Sequence, residues 1–231
     1  MAARVPLVLL PALLCDAELY RAQLDALGDI ADARVIVASE SRLARSAEVV
    51  LTQAPPRFAL GGTSAGGNLA LEVLATAPER VIGFWLTGAN PGAHSDPVAA
   101  RRLSERVRAG GFDGVLDELT ARCIHAAGPR GPQALATLRA MARRAGPDVF
   151  LRQNEAVITR ADRSGLLKSL AVPTLLLWGR HDEFLAPDRA HAIAAGAPHA
   201  RVIVIDDCGH LPTLEQPTAA TRAIREWVTS L

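Results

Sequence analysis

The sequence GGTSAGGNLA, residues 61–70, decides the fold, because it joins an apolar run to a helical pattern through one serine among four glycines. The run Arg57–Gly61 indicates a buried strand, and the segment Ala65–Ala77, rich in Ala and Leu, indicates a helix. A turn this tight forces its central residue into strained dihedral angles. Glycine at the flanking positions, Gly62 and Gly66, removes side chains that would collide with the neighbouring backbone.

Ser64 is the predicted nucleophile, because the pattern G-x-S-x-G between a strand and a helix exposes its serine. The first amides of the following helix and the helix dipole favour negative charge as it develops beside that serine. A glycine-rich turn without chemistry is the alternative, since so short a pattern also arises by chance. The flanking strand and helix favour the catalytic interpretation.

Short β-rich runs alternate with helical patterns on both sides of this turn. The predicted strands are Val5–Leu10, Arg34–Ala38, Phe58–Gly61, Val81–Thr87, Thr174–Trp178 and Arg201–Ile205. The predicted helices around them are Ala17–Leu27, Ala65–Ala77, Pro187–Ala195 and Thr218–Val228. Most of the strands are apolar at consecutive positions, as in a sheet covered on both faces. The alternation predicts an α/β fold with a mostly parallel, doubly wound sheet.

One segment, residues 91–166, interrupts the alternation with helical patterns and no convincing strand. Apolar residues recur at helical spacing over 112–119, and Pro147 is expected to open a further helix. We therefore predict a core made of residues 1–90 and 167–231, with 91–166 inserted as a helical cap. Because open α/β sheets bind ligands at the carboxyl edge of their strands, the cap is expected to cover that edge and select the substrate.

The bulk composition is ordinary for a globular protein, with 49% apolar and 21% charged residues. A net charge of +1 predicts no nucleic-acid partner, and no run approaches the roughly 20 apolar residues of a membrane span. The apolar start of the chain, with Pro6 and Pro11, is expected to be a buried strand and not a signal peptide. The three cysteines are an odd, sparse set, which argues against a disulfide framework and is compatible with a reducing compartment. None of their spacings resembles a zinc site. We expect a cytoplasmic protein without metal or cofactor.

His210 is the predicted base among the six histidines of the chain. It follows the strand Arg201–Ile205 across a short loop, which places it at the same carboxyl edge as Ser64. His181 is expected to be a neighbour of the site and not the base. If Ser64 were not a nucleophile, His210 would be an ordinary loop histidine.

Asp182 is the predicted acid, because the strand Thr174–Trp178 ends shortly before it at the same edge. The order serine, aspartate, histidine along the chain is that of the α/β-hydrolase triad. Asp206 and Asp207 are rival acids, although both lie so close to His210 in sequence that their orientation would be awkward. A solvated loop residue is the alternative for Asp182.

Two backbone amides are expected to stabilise an oxyanion. One is the N–H group of Ala65, the residue after the nucleophile, and the other is that of Leu13, in the loop after the first strand. The alternative is that the Leu13 loop only connects the strand to the next helix.

These residues together resemble the α/β-hydrolase fold superfamily, and within it a small serine esterase with a helical cap. The resemblance runs nearly from end to end. It is carried by Leu9–Asp16, Gly62–Gly66, Leu177–Asp182, and Cys208–His210 followed by Glu215 and Pro217. It implies a catalytic triad and an oxyanion hole at the positions predicted above. These are Ser64, Asp182 and His210, with the amides of Leu13 and Ala65.

The chain departs from the family pattern in three places. Relatives usually carry glycine at position 12 and many carry methionine at position 65, where this chain has Ala12 and Ala65. A positive φ at Ala12 would cost about 1 kcal/mol relative to glycine. The upstream His-Gly-Gly-Gly run of the hormone-sensitive-lipase group is absent, so the chain is not assigned to that group.

The resemblance implies hydrolysis of a small-molecule carboxylic ester through an acyl-enzyme. Ser64 excludes the aspartate nucleophile of the haloalkane dehalogenases and epoxide hydrolases that share this fold. Relatives with the same triad also cleave thioesters and carbon–carbon bonds next to a carbonyl, and these activities stay open. A non-catalytic ligand receptor on the same fold is the alternative from another class. With only 4% aromatic residues, the pocket is expected to be aliphatic.

Overall fold

One sheet of six parallel strands forms the centre of the computed structural model, which describes residues 3–231. The strands are β1 (Val5–Leu10), β2 (Ala31–Val35), β3 (Phe58–Thr63), β4 (Val81–Thr87), β5 (Thr174–Gly179) and β6 (Ala200–Ile205). Their order across the sheet is β2-β1-β3-β4-β5-β6. The parallel α/β architecture predicted from the sequence is therefore confirmed. Residues 1 and 2 of the predicted core lie outside the described residues.

Helices connect successive strands and cover both faces of the sheet. They are α1 (Arg21–Ala26), α2 (Leu43–Gln53), α3 (Ala65–Thr76), α4 (Pro97–Arg108), α5 (Phe112–Cys123), α6 (Gly131–Ile158), α7 (Asp188–Ala194), α8 (Pro212–Glu215) and α9 (Pro217–Thr229). Helix α2 was not among the predicted helices. Its apolar residues Leu43, Ala47 and Val50 recur at helical spacing, and this signal could have indicated it. None of the helices within residues 3–231 is long and apolar enough to cross a bilayer.

The prediction for the second strand was wrong by three residues. The sequence favoured Arg34–Ala38, whereas β2 spans Ala31–Val35 and pairs from Val5↔Ala31 to Leu9↔Val35. β2 is an edge strand, and its burial alternates along the chain instead of being continuous. The consecutive apolar residues lie at 35–38, at the end of β2 and beyond it, which is why the predicted strand is displaced toward the next turn.

Two apolar cores lie on opposite faces of the sheet. Leu7 and Leu9 of β1 join one cluster with Trp85 and Trp227, where α1 and α9 pack. The alternate residues Val8 and Leu10 of β1 belong to the other cluster, with α2, α3 and α7. This alternation follows from the two-residue period of a strand. Burial of each large side chain contributes about 1.5–3 kcal/mol, so the sheet is a rigid support for the loops at its edge.

Three helices, α4 to α6, lie between β4 and β5, where the sequence predicted the cap. Helix α6 is broken at Gly146 (φ 80, ψ 174), and Pro147 begins its second half, as predicted. A third apolar cluster joins these helices to Leu14 of the core. The N–H group of Arg163 donates to the carbonyl oxygen of Pro91 at 2.7 Å, so the two ends of the inserted segment meet.

Candidate active site

The predicted nucleophile Ser64 lies on the turn between β3 and α3, with φ 54 and ψ −118. This conformation is strained for a residue with a side chain, by about 1–3 kcal/mol. A Cβ on Gly62 would lie 2.5 Å from the carbonyl oxygen of Gly66, and a Cβ on Gly66 would lie 2.1 Å from that of Leu10. Cβ atoms in proteins essentially never approach another heavy atom so closely, which gives a steric reason for glycine at each position.

Hydrogen bonds from the core hold this strained turn. The N–H group of Ser64 donates to the carbonyl oxygen of Thr87 at 2.8 Å. The buried hydroxyl of Tyr20 donates to the carbonyl oxygen of Leu10 and shares a hydrogen bond with Thr63 Oγ1, both at 2.8 Å. Tyr20 therefore ties the ends of β1 and β3 together beside Ser64. Sequence reasoning did not identify this tyrosine, because it lies in a predicted helix with no catalytic motif.

The three residues predicted for the triad meet at the carboxyl edge of the sheet. His210 Nε2 lies 2.9 Å from Ser64 Oγ, and His210 Nδ1 lies 2.7 Å from Asp182 Oδ2. The histidine and the aspartate are both buried, with 4% and 7% of their surface exposed. The arrangement fits a serine hydroxyl that donates to Nε2 and an Nδ1–H that donates to the carboxylate. It can therefore carry a proton from the serine to the imidazole.

Main-chain amides of nearby residues hold the Asp182 carboxylate in place. Its Oδ1 accepts hydrogen bonds from the N–H groups of Phe184 and Leu185 at 2.8 and 2.9 Å, which leaves Oδ2 for the histidine. The rival carboxylates lie elsewhere. Asp206 pairs with Arg180, and Asp207 is exposed on the loop before the histidine.

Two residues that sequence reasoning missed pack directly against the His210 ring. Gly88 follows β4 with φ 55, and a Cβ there would lie 2.7 Å from His210 Cε1. The centroid of the Phe184 ring lies 5.0 Å from the centroid of the imidazole. These contacts restrict the rotation of the imidazole. A glycine directly after a strand was the signal that could have found Gly88.

The buried carboxylate of Glu215 fixes the loop that carries His210. Its Oε2 accepts from the N–H groups of Gly209 and His125, each at 2.8 Å, and its Oε1 accepts from that of Leu211 at 2.9 Å. Gly209 and Leu211 flank the histidine, while His125 follows α5 of the cap. Glu215, noted in the sequence only as part of the resemblance, thus joins the cap to the histidine loop.

The two predicted oxyanion donors are the Ala65 amide, directly after Ser64, and the Leu13 amide, in the loop after β1. Ala65 is the first residue of α3, so its N–H group has no partner within the helix. Leu13 lines the same cavity as Ser64. Among the described residues other than glycine, φ is positive at Leu14, Ser64 and Asp207, so alanine at position 12 causes no such strain.

Leu14 has φ 60 and is the strained residue of the loop 11–16, which we call the oxyanion loop after its predicted donor Leu13. Its N–H group donates to Oε1 of Gln153 in α6 at 2.8 Å. Gln153 Nε2 in turn lies 3.3 Å from the hydroxyl of Ser39. A cap side chain therefore holds the peptide next to Leu13, a contact that the sequence did not reveal.

An apolar cavity of about 100 Å³ opens onto Ser64 and His210. Leucines of α5, α6 and the oxyanion loop line it, with Phe184 beside the histidine. Its lining residues are Ala12, Leu13, Leu14, Cys15, Leu116, Leu119, Thr120, Cys123, Leu138, Ala142, Phe184 and Leu211. The expected aliphatic pocket is therefore present, and cap residues form part of its wall.

Two thiols in the wall of this cavity, Cys15 and Cys123, are weakly acidic. Burial raises the pKa of Cys123 to about 12, and the nearby charges of Asp182 and Glu215 act in the same direction. Burial likewise raises the pKa of Cys15 well above its ordinary value. Because a thiol reacts as the thiolate, neither competes with Ser64 as a nucleophile near neutral pH.

The sequence profile of the alpha/beta hydrolase family matches residues 8–224, which include all of these site residues. The chain belongs to the alpha/beta hydrolase family. The resemblance to this superfamily predicted from the sequence is therefore confirmed, and the sheet with its inserted helices is the alpha/beta hydrolase fold.

Named relatives of this alpha/beta hydrolase include esterases. A pimeloyl-[acyl-carrier protein] methyl ester esterase of Stenotrophomonas maltophilia is 28% identical over 190 residues, which are 78% of this chain and 73% of the relative. A thermophilic esterase from Thermogutta terrifontis has a similar structure, with a TM-score of 0.88 and 27% identity over 100% of this chain and 91% of that one. An enol-lactonase from Burkholderia xenovorans shares the fold, with a TM-score of 0.85 and 20% identity over 99% of this chain and 92% of that one.

Proposed function

We propose that the protein is a serine hydrolase that cleaves small carboxylic esters through an acyl-enzyme. The observation that carries the proposal is the continuous contact from Ser64 Oγ through His210 to Asp182, at 2.9 and 2.7 Å. A serine hydroxyl is a weak nucleophile until a base accepts its proton, and the base needs an acid that orients it. All three parts are present around one strained turn.

In the first step, Ser64 Oγ attacks the ester carbonyl carbon while its proton passes to His210 Nε2. The carbonyl π electrons move onto oxygen, and the N–H groups of Leu13 and Ala65 stabilise the resulting oxyanion. Asp182 stabilises the imidazolium without accepting its proton. When the tetrahedral intermediate collapses, His210 gives the proton to the leaving alkoxide, so an alcohol departs and an acyl-Ser64 ester remains.

In the second step, His210 accepts a proton from water, and the hydroxide attacks the acyl-Ser64 carbonyl. Collapse of this second intermediate breaks the bond to Ser64 Oγ, which recovers its proton from His210. The products are a carboxylic acid and the original enzyme. Thioesters and carbon–carbon bonds next to a carbonyl can undergo related steps, but the named esterases among the relatives favour the oxygen ester.

The cavity wall favours an uncharged, aliphatic substrate. Leucines from α5, α6 and the oxyanion loop surround the space next to Ser64, and burial of each CH₂ group of a substrate there gains about 0.8 kcal/mol. Residues 91–166 contain 12 arginines against 8 acidic residues, but none of these arginines lines the cavity. Arg106 and Arg143, for example, are exposed and pair with acidic residues. We propose that residues 91–166 act as a cap that selects the substrate, in a cytoplasmic enzyme.

The direct test compares the Ser64→Ala variant with wild type on p-nitrophenyl esters of two to eight acyl carbons. We expect loss of turnover with an unchanged circular dichroism spectrum and unfolding temperature. Ser41→Ala, which alters an exposed loop serine, is the matched control and should retain wild-type activity. Wild-type activity in Ser64→Ala would refute the assignment.

A fluorophosphonate probe separates the enzyme from a ligand receptor of the same fold. Rapid labelling, located at Ser64 by peptide mass spectrometry, requires an activated serine and is expected for an enzyme. Folded protein that binds ligands but takes up no label would instead support the receptor. A parallel panel of esters and thioesters with matched acyl chains then identifies the leaving group.

A further inference from the structure

A cluster of two imidazoles and a carboxylate lies outside the triad. The rings of His125 and His181 are stacked, with 3.9 Å between centroids and 6° between planes. The carboxylate of Asp207 completes the group, and one potential ligand atom from each residue lies within 4.8 Å of the others. The esterase mechanism uses none of these three side chains.

The backbones of the three residues are fixed by hydrogen bonds to the core. The N–H group of His125 donates to Glu215, and that of His181 donates to the carbonyl oxygen of Cys208, each at 2.8 Å. The carbonyl oxygen of Asp207 accepts from Gln216 Nε2 at 3.0 Å. Three separate segments of the chain therefore present their side chains to one place from anchored backbones.

The cap turn packs closely against the histidine loop at this point. A Cβ on Gly128 would lie 2.7 Å from the carbonyl oxygen of Asp207 and 3.0 Å from that of His125. Asp207 itself has φ 48, a conformation in which aspartate and asparagine are enriched among residues other than glycine. The turn at Gly128 and the loop at Asp207 are therefore in direct backbone contact.

We propose that His125, His181 and Asp207 form a binding site for a divalent zinc ion. Two imidazole nitrogens and one carboxylate oxygen are a donor set that Zn²⁺ prefers, and water can supply the fourth ligand. A tetrahedral zinc ion holds its ligand atoms about 3.3–3.5 Å apart. The two stacked rings are nearly parallel, so their in-plane lone pairs do not converge on one ion in this arrangement. The side chains of His181 and Asp207 are exposed, so binding requires the His181 ring to rotate out of the stack until the donors reach this spacing.

The position of the site connects metal binding to the cap and to both triad loops. His125 follows α5 of the cap, His181 precedes Asp182, and Asp207 lies on the loop that leads to His210. A bound ion would link these three segments without contacting Ser64. The site is therefore a clamp that holds the cap closed against the edge of the sheet.

Sequence spacing could not have indicated this site. The three ligands are separated by dozens of residues and come from the cap and from two different loops of the core. Zinc motifs that are visible in a sequence have at least one pair of ligands a few residues apart. The expectation that the protein has no metal rested on cysteine spacing alone.

The binding test uses the full chain with its purification tag removed, dialysed against a chelator and then titrated with ZnCl₂ against a chromophoric zinc indicator. We expect one zinc per chain, with an affinity at least tenfold lower in His125→Ala and in Asp207→Asn. Asparagine preserves the backbone conformation at position 207, so that variant should fold normally. His199→Ala, an exposed histidine outside the cluster, is the matched control and should bind like wild type.

Two further variants exclude binding at the triad. Ser64→Ala and His210→Ala should both retain the zinc affinity of wild type, whether or not the protein is an esterase. Unchanged affinity in His125→Ala, or loss of binding in His210→Ala, would overturn the proposal. Wild-type protein that binds no zinc at micromolar concentrations would also overturn it.

Thermal unfolding gives an independent readout of the clamp. Zinc at about 100 times its dissociation constant should raise the unfolding temperature of wild type by about 5–10 °C. His125→Ala should show no such shift, whereas His199→Ala should show all of it. Equal shifts in the two variants would mean that zinc stabilises the protein from another place.

Discussion

Ser64 has a conformation that few residues with a side chain adopt, and its neighbours decide whether that strain is useful. Gly62 and Gly66 leave room for the backbone of the turn. The Ser64 N–H group donates a hydrogen bond to the carbonyl oxygen of Thr87, and its hydroxyl lies within hydrogen-bond distance of His210 Nε2. Each contact removes an alternative position for the serine. A hydroxyl held in one place against its base is what nucleophilic catalysis requires.

Asp182→Asn tests the acid of the triad. The amide presents a donor where Nδ1–H needs an acceptor, so it disfavours the useful tautomer of His210, and we expect kcat to fall about 10³–10⁴-fold. Ester hydrolysis by purified variants measures the effect. Asp206→Asn is the control, because that carboxylate pairs with Arg180 and should leave kcat nearly unchanged. An inactive Asp207→Asn beside a normal Asp182→Asn would show that the acid was misassigned.

Gly88→Ala tests whether the imidazole needs the space beside it. The new Cβ would lie 2.7 Å from His210 Cε1, at a residue with φ 55, so the ring must shift. We expect kcat to fall about 10–100-fold, because a small displacement of the base removes its alignment with Ser64. Gly28→Ala is the control, since nothing lies within 4 Å of a Cβ there. Normal kcat in Gly88→Ala would mean that the ring position tolerates the change.

Among the elements, the second half of α6 connects the cap to the catalytic edge. Gln153 holds the Leu14 peptide of the oxyanion loop. The Arg163 guanidinium, beyond the end of α6, makes two hydrogen bonds at 3.0 and 2.9 Å to the mostly buried carboxylate of Glu72 in α3. These contacts attach the inserted helices to the helix that follows the nucleophile. The inserted helices therefore contact both the loop that carries the predicted oxyanion donor Leu13 and the helix that follows Ser64.

Gln153→Ala should weaken transition-state stabilisation more than substrate binding. Removal of the Gln153 side chain leaves the Leu14 N–H group without its acceptor, and the strained conformation of Leu14 is then no longer held. The backbone of the loop can relax, and the Leu13 amide can turn away from the position of the oxyanion. We expect kcat to fall about 5–30-fold, equivalent to about 1–2 kcal/mol, with a small change in KM. Steady-state kinetics measure the two constants, and Gln133→Ala, an exposed glutamine of the same helix, is the control. A change confined to KM would place Gln153 in substrate binding instead.

For the whole molecule, several buried acids predict how stability depends on alkaline pH. Burial raises the pKa of Cys15, Cys123, Cys208 and Tyr20 above their ordinary values. In the unfolded chain these groups release protons at lower pH than in the folded protein. Their contribution to stability is therefore complete below the unfolded pKa and is lost as pH rises above it.

The free energy of unfolding should thus decline above about pH 8.5–9, by about 1.4 kcal/mol per pH unit for each thiol that ionises only on unfolding. Urea denaturation at pH 7.5, 9 and 10 measures this slope. Cys208→Ala removes one buried thiol and should make the slope shallower, although the variant is less stable at neutral pH. An identical slope in Cys208→Ala would show that the buried thiols do not cause the decline.

The sequence by itself determined the parallel sheet, the strained serine turn and the residues of the predicted triad. Buried parallel strands are continuous apolar runs, and the ends of such strands meet at one edge, so Ser64, Asp182 and His210 could be brought together from local patterns. Local patterns predict the bounds of a strand less well where its burial is not continuous. The edge strand β2 alternates in burial, and its bounds were misplaced for that reason.

Only the tertiary structure decided which side chains support these residues. Gly88 contacts the imidazole, Gln153 reaches the oxyanion loop from the cap, and Glu215 joins three backbone amides. The grouping of His125 with His181 and Asp207 is of the same kind. These contacts join segments that are far apart in the chain, and no periodicity or motif of the sequence predicts which distant residues meet. They exist because the inserted helices pack against the edge of the sheet, and the packing of the whole chain determines that arrangement.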